Sequence, residues 1–139
     1  MSAFTIISET NSTQSSLKSL YDFLCDFKNF GTILPEDKVE NFQFTENECS
    51  FSIKGITPMT IKKIDSKPNE FILFSSQGLA KFNFSLKVFF IGEASQKGQC
   101  KIELTGDLNP FIKAMAEKPL RTLTNSMSLK LSQLELDKA

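Results

Sequence analysis

A chain of 139 residues can bury a hydrophobic core without disulfides or metal ions, and its length fits one domain, residues 1–139. Sixteen basic residues balance sixteen acidic ones, so the formal net charge is zero. Arg121 is the single arginine, and the lysines are scattered singly or in pairs, so no basic patch is available to neutralise phosphates. The composition therefore argues against nucleic-acid binding.

The sequence also bears on the cellular location. The N-terminal residues do not combine a basic start with an apolar stretch, and no run reaches the roughly 18 apolar residues that cross a bilayer. Cys25, Cys49 and Cys100 are odd in number and widely spaced, as is typical of reduced thiols. We expect a cytoplasmic protein with no stable membrane insertion, as a monomer or a homodimer.

The aromatic residues are nearly all phenylalanine: there are 14 Phe against one Tyr, and there is no Trp or His. Phenylalanine adds apolar area and shape but no hydrogen-bond donor. Without His, and with isolated cysteines and glycines, no metal-ligand spacing or phosphate loop can be identified, so we expect no metal and no cofactor. This composition favours apolar walls over a polar site.

The first third of the chain predicts a strand followed by a helix. Ala3–Ile7 is rich in β-branched residues and predicts the first strand. A helix is predicted over Thr13–Lys28 with an N-cap at Ser12 or Thr13, and Gly31 is a stop signal, with a short second helical piece near Asn29–Leu34. The helix has one apolar face, formed by Leu17, Leu20, Tyr21, Leu24 and Phe27.

After Pro35 the hydrophobic period changes to two, which is typical of an antiparallel meander with one buried face. The clearest alternation runs from Lys81 to Val88. The predicted strands in this part of the chain are Val39–Phe44, Cys49–Ile53, Met59–Lys62, Phe71–Ser75, Lys81–Val88 and Cys100–Thr105.

A long helix is predicted at the C-terminal end, with Asn109 as its N-cap and Pro110 at its first position. Pro119 predicts a kink, because proline lacks a backbone donor and clashes with the preceding turn. One face is assigned to Ile112, Met115, Ala116, Leu120, Leu123, Met127, Leu131 and Leu134. The elements predict a curved antiparallel sheet of about seven strands around this helix, with one or two short helices after strand 1.

The segment Tyr21-Asp22-Phe23-Leu24-Cys25-Asp26-Phe27-Lys28-Asn29-Phe30, followed by Leu34-Pro35, resembles the first-helix signature of the polyketide cyclase/START-like (SRPBCC) superfamily. The segment from Asn109 to Leu120 is similar to the C-terminal helix of small members. The resemblance implies an α+β fold of the helix-grip (Bet v 1/START-like) kind. Members include lipid- and sterol-transfer domains, plant hormone receptors, aromatase/cyclases and co-chaperone modules, so the resemblance leaves the function open.

An apolar pocket between sheet and helix is the main candidate site. Its predicted walls are Phe82, Phe84, Leu86, Ile102 and Leu104 from the sheet and Phe111, Met115 and Leu123 from the helix. Arg121 could hold a ligand carboxylate at the rim, or form a surface ion pair with Glu117 at i, i+4. The same apolar residues could instead form a closed core.

The expected function is binding of a small hydrophobic ligand: a lipid, isoprenoid, sterol or polyketide-like molecule. No catalytic residue is predicted, and an enzyme is the less favoured alternative. A polyketide cyclase/dehydratase-like activity would have to use Glu103, Asp107, Glu117 or Arg121. A co-chaperone-like interaction module is the other alternative.

Overall fold

The computed structural model describes residues 2–53, 58–76, 83–108 and 110–137. Among them no helix is both long enough and apolar enough to span a bilayer. The elements, in chain order, are β1 (Ser2–Ile7), β2 (Asn11–Ser16), α1 (Leu17–Leu24), α2 (Phe27–Phe30), a 3-10 helix (Gly31–Ile33), β3 (Val39–Phe44), β4 (Glu48–Ile53), β5 (Pro58–Lys67), β6 (Phe71–Ser76), β7 (Asn83–Ile91), β8 (Lys97–Leu108) and α3 (Pro110–Gln133).

The strands form one antiparallel sheet in the order β1-β8-β7-β6-β5-β4-β3, and β2 also pairs with β8. Consecutive strands from β3 to β8 are neighbours, which is the meander that the alternating pattern predicts. On β7, the buried residues Phe84, Leu86, Val88 and Phe90 alternate with more exposed ones. The predicted helix-grip architecture is confirmed, with eight described strands in place of about seven.

The segment Asn11–Ser16 is a strand, β2, that was not predicted, and the assignment of Thr13–Ser16 to the first helix was wrong. Asn11 pairs with Cys100 and Ser16 pairs with Lys97. The segment therefore pairs with the first part of β8, whereas β1 pairs with the last part. The hydroxyl of Thr13 accepts a hydrogen bond from Gly98 N at 2.9 Å. The helix begins at Leu17, where the Ser16 side chain caps the Ser19 N–H. Serine and threonine favour helix caps, so a strand whose inward side chains are hydroxyls has the sequence pattern of a helix start.

Gly31 is the C-cap at which α2 ends, as the stop signal predicted, and it also has a packing role. Its φ of −60° is right-handed, and the chain continues from α2 into the 3-10 helix. A Cβ atom at this position would lie 2.9 Å from two ring atoms of Phe42. Phe42 on β3 therefore packs directly on the backbone at Gly31, which places β3 against the helical segment.

Strand β3 is one edge of the described sheet and is irregular. Asn41 and Phe42 together face Phe51 of β4, because the register shifts between Glu40 and Gln43. Asn41 has a φ of 59°, in the left-handed region. This is a β-bulge, which bends and twists the edge strand.

Helix α3 packs mainly against β8, β2, β1 and the 3-10 helix. Ser128 is central to this contact: its hydroxyl donates to the Glu9 carbonyl at 3.1 Å and accepts from Asn11 Nδ2 at 3.0 Å. Cys100 Sγ contacts the Ser128 carbonyl at 3.6 Å. Since Pro119 lies inside α3 and has no N–H, the helix cannot donate from that position to the Met115 carbonyl.

The segment after α3 is tied to the start of α1. Leu136 N donates to Ser15 Oγ at 2.7 Å, and the Asp137 carboxylate accepts from the Ser19 hydroxyl and from the Ser16 N–H. The hydrogen bond from Ser19, followed by that from Ser16, lowers the pKa of Asp137 below its ordinary value. The charged form of Asp137 therefore stabilises the first helix from a distant part of the chain.

This arrangement predicts a pH-dependent stability contribution from Asp137. Because its pKa is lower in the folded chain, the contribution is present above the unfolded carboxyl pKa and is lost as the pH falls through the folded value. Asp137→Asn keeps an acceptor but removes the charge. We expect a lower Tm at about pH 7, and a difference that shrinks towards zero at about pH 2, in thermal unfolding followed by circular dichroism.

The matched control is Glu46→Gln, an exposed acid in the turn between β3 and β4. It should not reproduce the Tm difference at neutral pH. A difference for Asp137→Asn that is equal at both pH values would contradict the role given to the charge.

Candidate functional site

A phenylalanine cluster packs the short helix α2 against the sheet. The Phe30 ring lies with its centroid 5.3 Å from Phe74 and 6.3 Å from Phe51. The Phe27 ring is 5.8 Å from Phe74. All four side chains are buried, so this part of the concave face is filled by side chains.

The predicted pocket walls separate into two groups in the structure. The first group, Phe84, Leu86, Ile102, Leu104 and Leu123, is buried in one core cluster. Leu86 lies opposite Leu104, and Ile102 lies opposite Val88. These residues come together as predicted, and their contact with a ligand stays a prediction. Phe82 lies outside the described residues.

The second group, Phe111 and Met115, does not face the sheet as predicted. Their side chains are 76% and 64% exposed. At 3.6 residues per turn, Phe111 is about 180° and Met115 about 140° around the helix from the buried Leu120. Assigning Met115 to the buried face was therefore wrong: it lies about 100° around the helix from Ala116, outside the buried stripe of Ala116, Leu120 and Leu123.

The exposed apolar residues share a flank of α3 with a surface pocket. Phe111, Met115 and Pro119 follow one another at i, i+4 and i+8, which places them on the same side of the helix. The pocket has a volume of about 290 Å³. We call it the Pro119 pocket; its described lining residues are Asp37, Lys38, Ile53, Lys118, Pro119 and Thr122.

The Pro119 pocket reaches from the surface to the core. Ile53, the last residue of β4, is 2% exposed and belongs to the core cluster. Asp37 and Lys38 come from the turn before β3, in which Lys38 N and Val39 N both donate to the Pro35 carbonyl, at 3.1 and 3.0 Å. Sequence reasoning missed these two turn residues, because they follow no periodic pattern.

Arg121 is not part of this pocket. Its guanidinium lies 3.7 Å from the Glu117 carboxylate, and both side chains are about half exposed. Arg121 and Pro119 are about 100° from Leu120 in opposite directions around the helix. The surface ion pair, one of the two roles considered for Arg121, is the one that the structure shows.

Two thiols and a phenol are buried among the described residues. Burial raises the pKa of Cys49 to about 12 and that of Cys100 to about 11. Burial also raises the pKa of Tyr21, whose hydroxyl donates to Ser66 Oγ at 2.9 Å. Both thiols are therefore protonated near neutral pH and are poor nucleophiles.

The acidic candidates for catalysis lie away from the buried face. Glu103 falls between the buried Ile102 and Leu104, so it points to the outer face of the sheet, and Asp107 is exposed near the end of β8. Within the described ranges, His, Cys, Asp and Glu do not gather into a group that could hold a metal ion.

A second surface pocket, of about 480 Å³, lies between the helical segment and β3. Phe42 and Phe44 line it, with ring centroids 6.0 Å apart. Phe44 is 50% exposed. This pocket competes with the Pro119 pocket as a place for an apolar ligand.

Comparison with solved structures shows the helix-grip fold of Bet v 1-like proteins and polyketide cyclases, which confirms the fold that the superfamily resemblance implies. Norcoclaurine synthase of Thalictrum flavum has a TM-score of 0.65 at 10% identity, over 94% of this chain and 85% of that chain. A protein of Thermus thermophilus has a TM-score of 0.66 at 12% identity, over 93% of this chain and 94% of that chain.

The di-domain ARO/CYC StfQ, from the steffimycin biosynthetic pathway, has a TM-score of 0.67 at 10% identity, over 94% of this chain and 49% of that chain. No protein-family model and no curated protein matches the sequence. At these identities the likeness establishes the fold alone, and the function has to be argued from the site.

Because Phe30 is buried and Phe111 is exposed, truncating them should affect stability to very different extents. Phe30→Ala removes a fully buried ring that contacts three others and should lower the free energy of unfolding by about 3–5 kcal/mol. Phe111→Ala removes an exposed ring and should change it by less than about 0.5 kcal/mol. Urea unfolding at equilibrium measures both; a large loss for Phe111→Ala would show that this ring is structural.

Proposed function

We propose that this protein binds a small hydrophobic ligand along the flank of α3, over Phe111 and Met115 and into the Pro119 pocket. The observation that supports it most directly is the exposure of these two large apolar side chains beside a pocket whose floor is a core residue. Clustered exposed apolar surface next to a concavity is typical of binding sites.

The asymmetric position of α3 gives a physical reason for this site. The helix is fixed towards β8, β2 and β1, so its opposite flank faces the end of β4 and the turn before β3. A pocket of about 290 Å³ is close to the lower end of the usual range for ligand sites, roughly 300–1,000 Å³. It suits a slender apolar group, with Met115 and Phe111 extending the contact along the helix.

Binding would be driven by removal of apolar area from water, at about 25 cal/mol per Å². The lining offers few hydrogen-bonding groups apart from charged side chains at its rim, so the ligand would be selected mainly by shape. Lipid, isoprenoid, sterol and polyketide-like molecules all meet this description. The cyclase-like and co-chaperone-like alternatives stay predictions; Asp107 and Arg121, considered for catalysis, lie outside the described pocket lining.

The test uses a neutral apolar probe, N-phenyl-1-naphthylamine, whose fluorescence rises when it leaves water. We expect the protein to bind it, and the double variant Phe111→Ala/Met115→Ala to bind it about tenfold more weakly. Tenfold corresponds to about 1.4 kcal/mol, a modest share of the apolar contact of two side chains. Fluorescence titration measures the affinity.

Phe44→Ala is the matched control, because it also truncates a half-exposed phenylalanine but at the second pocket. It should leave probe affinity unchanged. Weaker binding in Phe44→Ala, with full affinity in the α3 double variant, would move the site to the pocket beside β3. Absence of binding to the unmodified protein would contradict the proposed function.

A further inference from the structure

The charges at the rim of the Pro119 pocket are unequal. Two basic residues, Lys38 and Lys118, line it together with one acidic residue, Asp37. Both lysines are exposed, and neither forms an ion pair with another residue in the described part of the chain. This excess of positive charge beside an apolar floor is complementary to an anion attached to an apolar body.

The backbone on both sides of the pocket is well held. The turn that contains Lys38 is closed by two hydrogen bonds to the Pro35 carbonyl. Lys118 is inside the long helix α3 and directly precedes Pro119, whose φ is fixed by its ring. Ordering the two side chains is therefore the main conformational cost of holding a charged group between them.

The other lining residues divide the pocket into a polar rim and an apolar floor. Ile53 and Pro119 are apolar, and Ile53 is buried in the core. Thr122 adds a half-buried hydroxyl on the helix side. A ligand with one charged end could satisfy both regions at once, whereas a purely apolar ligand would leave the lysines without a partner.

We propose that the ligand is an amphipathic carboxylate whose head lies between Lys38 and Lys118 and whose apolar part lies over Ile53 and Pro119 towards Met115. This rests on the proposed function and narrows the ligand class from hydrophobic molecules in general to acidic ones. The sequence suggested Arg121 as the residue that holds a ligand carboxylate. We assign this role to the two lysines instead, because Arg121 forms an ion pair with Glu117 outside the pocket.

The test compares two chain-matched probes, decanoate and 1-decanol, by isothermal titration calorimetry. The unmodified protein should bind decanoate more tightly than 1-decanol. Lys38→Gln/Lys118→Gln should lower decanoate affinity about tenfold and leave 1-decanol affinity unchanged, since only the charge contact is removed. Added salt should reduce the preference for decanoate, because these charges are exposed.

The matched control is Lys62→Gln/Lys63→Gln, which removes two exposed lysines of β5 that are outside the described pocket lining. It should leave both affinities unchanged. Equal affinity of the unmodified protein for the two probes, or equal loss of both in the Lys38/Lys118 variant, would overturn the carboxylate proposal while the hydrophobic site stands. If neither probe nor N-phenyl-1-naphthylamine binds the unmodified protein, the proposed function itself fails.

Discussion

The hydrogen bonds of Ser128, within the buried face of α3 that includes Leu123 and Met127, hold the long helix in its place on the sheet. The Ser128 hydroxyl links α3 to Glu9 and to Asn11, the first residue of β2. The Ser128 carbonyl contacts Cys100 on β8. Ser128 is buried and its hydroxyl has two partners, so it is costly to displace: separation would leave a buried hydroxyl unpaired. The helix is therefore held to one side of the concave face, and the position of the Pro119 pocket follows from that.

The aromatic composition determines how the remaining concave face is used. Phe27 and Phe30 of α2 pack onto Phe51 and Phe74 of the sheet. These rings fill space that a helix-grip fold can otherwise leave open. Among the described residues, the two most exposed large apolar ones, Phe111 and Met115, are on the flank of α3. Among the described residues, seven phenylalanines are buried in the core, whereas Phe44 and Phe111 are exposed.

The sequence predicted the fold where hydrophobic periodicity was strong, and it was less informative where hydroxyl or turn residues determine the structure. Strand Val39–Phe44 has the predicted bounds. The strand Asn11–Ser16 was missed, because Thr13 and Ser15 are buried as hydroxyls and resemble helix-cap residues. The sequence identified Phe111 and Met115 of the candidate site but placed them on the wrong face of α3.

The left-handed residue in β3 has a consequence for how the chain behaves among its own copies. An edge strand exposes unpaired N–H and C=O groups, which another chain can use to extend the sheet. At Asn41 the bulge breaks the regular spacing of those groups, so an incoming strand could match only a short stretch on either side. The bulge therefore disfavours extension of the sheet by another chain at the strand that carries the exposed Phe44.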